Sequence, residues 1–134
     1  MKHITIALAL FITLSAHTCN EGDTAMTSLL DKKWVFQSLN GKAVTMPDGV
    51  DAPWLQLAGD RLTGFGGCNN LMGDYKMGDG VISFPSLGST KKYCEGVQPV
   101  ENEIKQVLGA TDGYKLDGGL LKLMSGGKEV AVLK

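Results

Sequence analysis

The stretch Gly64-Phe65-Gly66-Gly67-Cys68-Asn69-Asn70-Leu71-Met72-Gly73-Asp74-Tyr75 constrains the fold more than any other part of the chain. It sets four glycines, a cysteine and two asparagines between strand-like runs. Glycine and asparagine are the residues that tolerate positive φ, so the stretch predicts a tight corner with unusual backbone needs. Its GFGGC core does not match G-x-G-x-x-G, and a strand rather than a helix is expected after it. A phosphate cradle is therefore not the reading; a demanding bend is.

The flanking runs carry β signals. Leu29 to Leu39 is rich in strand formers, with Trp34, Phe36 and Ser38 on one face and Val35, Gln37 and Leu39 on the other. Asn40-Gly41 is a hairpin turn that a short strand over 42–45 can answer. Trp54 to Leu57 and Arg61 to Phe65 read as paired strands around Gly59-Asp60. An internal echo follows: YKMGDGVISF at 75–84 and YKLDGGLLKL at 114–123 have one design, two hairpins of the same register. Leu120 to Met124 and Lys128 to Leu133 close the chain as a hairpin across Ser125-Gly126-Gly127.

One helix is expected, over about residues 98–108. Val97, Val100, Ile104, Val107 and Leu108 recur at helical spacing, which gives one apolar stripe for the core. Pro99 suits the first turn, Glu101 and Glu103 complement the positive end, and Gly109 can stop the helix. With about eight short strands and one helix the class is mainly β (α+β). The expected architecture is a small antiparallel sheet, barrel-like or strongly bent, because closure removes exposed edges.

The first 18 residues speak to address. Lys2 precedes eleven mostly apolar residues, Ile4 to Leu14, too few for the roughly 20 that span a bilayer. The segment reads as a secretory signal peptide. Ser15-Ala16-His17-Thr18-Cys19 resembles the lipobox of bacterial lipoproteins, which implies cleavage before Cys19, lipid on its thiol and a membrane anchor. Plain secretion and an uncleaved anchor are the alternatives. Residues 19–28 then form a polar tether and 29–134 the domain. Asn20 after the Cys leans towards the outer membrane.

Composition excludes several functions. Removing residues 1–18 leaves 116 of the 134 residues, one domain, with a formal charge of −2. Arg61 is the only arginine, and no basic stripe exists for nucleic acid. Both histidines, His3 and His17, lie in the signal segment. A mature chain without histidine has no Ser-His-Asp triad, no Cys-His pair and no imidazole metal site. Asp48 and Asp51 lack the spacing of an oxygen-ligand loop, so neither a metal nor a cofactor is expected. With Cys19 lipidated, Cys68 and Cys94 remain, and even parity in an oxidising compartment favours a disulfide between them. Two buried free thiols are the alternative.

Trp34 with Leu39-Asn40-Gly41, then Gly67-Cys68-Asn69-x-x-x-Gly73-x-Tyr75, then Thr90-x-x-x-Cys94, the Glu-bearing helix and Tyr114-x-Leu116-x-Gly118 together resemble the META domain (HslJ-like) family. The likeness covers about residues 29–134. It implies a small β-rich barrel-like sheet with one helix, in envelope or secreted proteins linked to heat shock, novobiocin resistance and, in parasites, virulence. It implies no catalytic residues.

Function is then weighed among three classes. The first is a non-catalytic, monomeric envelope lipoprotein domain that binds an unidentified protein or peptide and contributes to stress or antibiotic tolerance. The second is a carrier of a small apolar ligand inside the sheet. The third is an enzyme using carboxylates such as Asp74 with Asp79 or Glu95. The expected interaction patch is Asn69, Asn70, Lys91 and Lys92. The competing reading makes the lysines plain solvated side chains. It also has one asparagine occupy a left-handed position or bond its own turn.

Overall fold

The computed structural model describes residues 21–134. The signal segment 1–18 and the expected lipidation site Cys19 lie outside the described residues. Residues 21–29, most of them in the segment expected to be a polar tether, form helix α1 (Glu21–Leu29). Its last residue, Leu29, is fully buried. The Leu29 carbonyl accepts a hydrogen bond from Trp34 Nε1 at 3.0 Å, so the helix end and the first strand share one anchor.

Nine antiparallel strands follow: β1 (Lys33–Leu39), β2 (Lys42–Ala43), β3 (Trp54–Ala58), β4 (Arg61–Phe65), β5 (Asn70–Met77), β6 (Ile82–Ser89), β7 (Gly113–Asp117), β8 (Leu120–Ser125) and β9 (Lys128–Leu133). Helix α2 (Gln98–Ala110) stands between β6 and β7. The order across the sheet is β6-β5-β4-β3-β1-β9-β8-β7, with β2 paired only to β1. The sheet is strongly bent and not closed, so the bent form holds rather than the barrel. Its two end strands approach where the Tyr114 N–H donates to the Gly80 carbonyl at 3.1 Å. The two hairpins that echo each other in sequence are thus the two ends of the sheet.

Alternation fills the concave side. Leu55, Leu57, Leu62, Leu71, Ile82, Leu121, Leu123 and Leu133 are all buried, and their neighbours along each strand face outward. Trp34, Phe36, Tyr75, Phe84 and Tyr114 occupy the same interior. Trp54 and Phe65, opposite each other across β3 and β4, instead lie half-buried, and Lys33 stacks 4.3 Å over the Trp54 ring. One face assignment is corrected in β1. A register shift between Phe36 and Ser38 against β9 turns Leu39 to the side of Trp34 and Phe36, where simple alternation would have put Ser38.

Helix α2 carries the expected stripe. Ile104, Val107 and Leu108 are buried, and Pro99 sits in the first turn. Gly109 does not end the helix. Thr111 does, with its N–H donating to the Leu108 carbonyl and its buried hydroxyl to the Val107 carbonyl at 2.7 Å.

Candidate functional site

The glycine corner joins β4 to β5, and a loop over residues 90–97 joins β6 to α2. The two meet. The corner closes on itself through the Gly66 N–H donating to the Asn69 carbonyl at 2.8 Å, with Gly67 at φ 104°. A Cβ on Gly66 would lie 2.7 Å from Glu101 Cγ, so only glycine lets the helix acid come this close.

Glu101 is the hub. Its side chain is fully buried, and its carboxylate accepts four bonds. The Cys68 and Asn69 N–H groups donate to Oε2 at 3.3 and 2.6 Å. Asn69 Nδ2 donates to Oε1 at 2.7 Å and Lys105 Nζ at 3.0 Å. Burial alone pushes this carboxyl up. The Asn69 amide, the Asn69 N–H and the Lys105 ammonium outweigh it, and the net effect holds the pKa below the ordinary value. The corner is an anion cradle already filled by the chain's own side chain.

Asn69 carries the order outward. Its Oδ1 accepts from the Lys92 N–H at 2.6 Å and the Thr90 hydroxyl at 2.9 Å, while Nδ2 also donates to the Lys92 carbonyl at 2.9 Å. Both backbone groups of Lys92 are therefore held by one side-chain amide, as a neighbouring strand would hold them. The Thr90 hydroxyl also accepts from the Asn70 N–H at 3.1 Å. Cys68 and Cys94 form a disulfide with their Cα atoms 5.8 Å apart, so the bridge, not the pair of free thiols, is present.

These contacts revise the expected patch. Asn69 is buried with both amide atoms saturated, so it positions its neighbours and offers nothing to a ligand. Neither asparagine has positive φ. Asn70, Lys91 and Lys92 are exposed, as is Tyr93, at 80% the most exposed large hydrophobic side chain among the described residues. Lys91, Lys92, Tyr93, Gln98 and Lys105 line one shallow groove of about 220 Å³ with Ser89, Thr90 and an edge of the saturated Asn69. Gly67, Cys68 and Thr90 build the corner and its strap. Gly73 and Tyr75 lie further along β5, where Gly73 packs against the Ser86 carbonyl and the Tyr75 hydroxyl donates to the Gly59 carbonyl at 2.5 Å. Of the proposed acids, Asp74 is paired with Arg61 at 2.7 Å, and both are half exposed.

The sequence points to Lys91-Lys92-Tyr93 as an exposed cluster, and all three are exposed; it does not point to Glu101 and Lys105 as parts of the same site. A signal for Glu101 existed. It falls on the apolar stripe of α2, four residues after Val97 and three before Ile104, where an acid is out of place unless something receives it.

A bent nine-stranded sheet with one packed helix and a disulfide-strapped corner defines a class of small β-rich domains. The chain belongs to the META domain family, whose model matches residues 27–134. It is similar to a protein from Burkholderia xenovorans solved by NMR, with 25% identity and a TM-score of 0.64 over 100% of this chain and 97% of that one. A second NMR structure shares 22% identity at a TM-score of 0.62, over 79% of this chain and 91% of the other, which speaks to fold alone. No curated protein matches the chain.

Proposed function

We propose that this chain is a non-catalytic binding domain of the cell envelope, lipid-anchored through Cys19, that presents the 90–94 strap to a protein or peptide partner. A contribution to stress or antibiotic tolerance follows from the family resemblance. One observation carries the reading. The most elaborate buried polar network among the described residues holds the Lys92 backbone and the Cys94 end of a strap whose side chains stand in solvent. A loop that merely links a strand to a helix does not need its backbone fixed this way. An exposed aromatic that follows two lysines on a backbone held at Lys92 and Cys94 suits a binding surface, since a preorganised backbone lowers the ordering cost of association. The interior aromatics are packed against one another, which favours this reading over a carrier.

The test is photocrosslinking in the native envelope from a benzoylphenylalanine placed at position 93, with the same group at exposed Glu129 as control. A discrete partner captured from 93 and not from 129 is expected. Equal or no capture from both positions overturns the reading.

A further inference from the structure

The reading above leaves the chemistry of the partner open, and the groove beside Tyr93 narrows it. We infer that the occupant is an extended acidic peptide segment whose carboxylates meet Lys91, Lys92 and Lys105 and whose adjoining side chain packs on Tyr93. This rests on the partner-binding reading. Three lysines and no acid line the groove, on a chain whose overall charge is −1. The one carboxylate beneath it, Glu101, is fully buried and takes Lys105 as one of its four donors, so it leaves the exposed ammonium groups of Lys91 and Lys92 unclaimed. Lys105 gives one N–H to Glu101 and keeps two for a second acceptor.

Shape argues for an extended chain. The groove is shallow and follows the 89–93 backbone, exposed from Thr90 on, a linear track that suits an extended chain. One wall is the end of β6, the terminal strand of the sheet order, which leads through Ser89 and Thr90 into the strap. Charge number argues against a lipid surface: recognition of anionic headgroups takes clusters of about four to eight basic residues, and this face has three. The absence of arginine here likewise argues against bidentate phosphate contacts.

The experiment is an NMR titration of the isotope-labelled full chain in detergent micelles. The probe is a five-residue peptide of Glu and Asp around a central Phe; its counterpart with Gln and Asn in their place is the control. Saturable shifts confined to amides of residues 89–98 and 105 are expected with the acidic peptide. Binding should weaken about tenfold or more, on the order of 1.4 kcal/mol, for the neutral peptide and for the Lys91→Glu/Lys92→Glu variant. Both lysine side chains are exposed, and Lys91→Gln/Lys92→Gln serves as a milder second variant. Equal shifts from both peptides, no shifts from either, or binding only to vesicles of one-third phosphatidylglycerol would each overturn the inference. If position 93 still captures a protein while the acidic peptide fails, the acidic chemistry is wrong and the binding reading stands. If both fail, both fall.

Discussion

The hairpins β5–β6 and β7–β8 share a Tyr-Lys-apolar pattern and form opposite ends of one sheet, yet they are secured in different ways. The open end of β5–β6 is clamped by a disulfide, by the Asn69 amide and by a buried carboxylate. The open end of β7–β8 has an exposed side-chain bond, from the Gly126 N–H to Asp112 Oδ2 at 2.9 Å. Further along, Lys122 pairs with Asp117 and Glu129 at the surface, where ion pairs contribute little. Their tyrosines differ too. The Tyr75 hydroxyl is bonded to the Gly59 carbonyl, whereas the buried Tyr114 hydroxyl has no partner at full hydrogen-bond distance and feels only the Gly80 backbone beyond it. A shared pattern in sequence predicts a shared hairpin. It does not predict which hairpin is built to hold a surface still.

The strongest way to break the contrast is to remove the hub. Glu101→Leu leaves the Cys68 N–H, the Asn69 N–H and one Asn69 amide proton without their buried acceptor. A loss of about 3–5 kcal/mol in denaturant unfolding is expected, because orphaned buried donors keep their full desolvation cost. A loss below about 1 kcal/mol would mean that the corner stands without it. The same residue sets an acid limb. Its pKa in the folded state lies below the ordinary 4.5, so its stabilisation is present above that value and is lost as pH falls through the folded value. Glu101→Gln should flatten the acid limb of the stability curve while lowering stability at neutral pH.

Cutting the strap comes next. Cys68→Ser with Cys94→Ser should cost about 2–4 kcal/mol, since the bridge closes a long loop in the unfolded chain. Amide exchange should rise across residues 90–97 and stay unchanged in β7–β8 if the two ends are independent. Faster exchange throughout would show that the clamp serves the whole sheet rather than its own end.

The two ends also mark what a single sequence reveals. Strands β3, β4, β8 and β9 were legible because alternation and Gly-bearing turns are local signals. The apolar stripe of α2 was legible for the same reason, and the bridge followed from parity. The bulge in β1 was not, because it arises from pairing with β9, about a hundred residues away. In sequence Glu101 speaks only to the helix dipole, a local role. Its actual partners, Cys68 and Asn69, are 33 and 32 residues distant. In sequence Asn69 is an amide that could bind a ligand, and only the fold shows all its amide valences used internally. The site is the part of the molecule built from long-range polar contacts, which leave no periodicity in the chain.

A smaller effect tests the bonded tyrosine. Tyr75→Phe keeps the ring in the core and deletes one hydrogen bond to a carbonyl on an exposed turn that can rehydrate. A loss of about 0.5–1.5 kcal/mol is expected. Urea melts with an unchanged slope would assign it to stability rather than to a looser native state.

The smallest effect should carry the opposite sign. Tyr114 is 5% exposed and packed in the same core as Tyr75; its buried hydroxyl has no partner at full hydrogen-bond distance, and the Gly80 backbone is the polar group that acts on it from further off. Burying a hydroxyl without a bond costs on the order of 1–3 kcal/mol relative to leaving it in water. Phenylalanine fills the same ring volume and carries no such cost, so Tyr114→Phe should stabilise the domain by a few tenths to about 1 kcal/mol. Its backbone bond to the Gly80 carbonyl, which joins the two sheet ends, is untouched by the change. The urea midpoints of the two phenylalanine variants, measured side by side, read the asymmetry directly: one below the parent and one at or above it. Equal losses in both would mean that Tyr114 is bonded as Tyr75 is, and that the two ends differ only at the strapped corner.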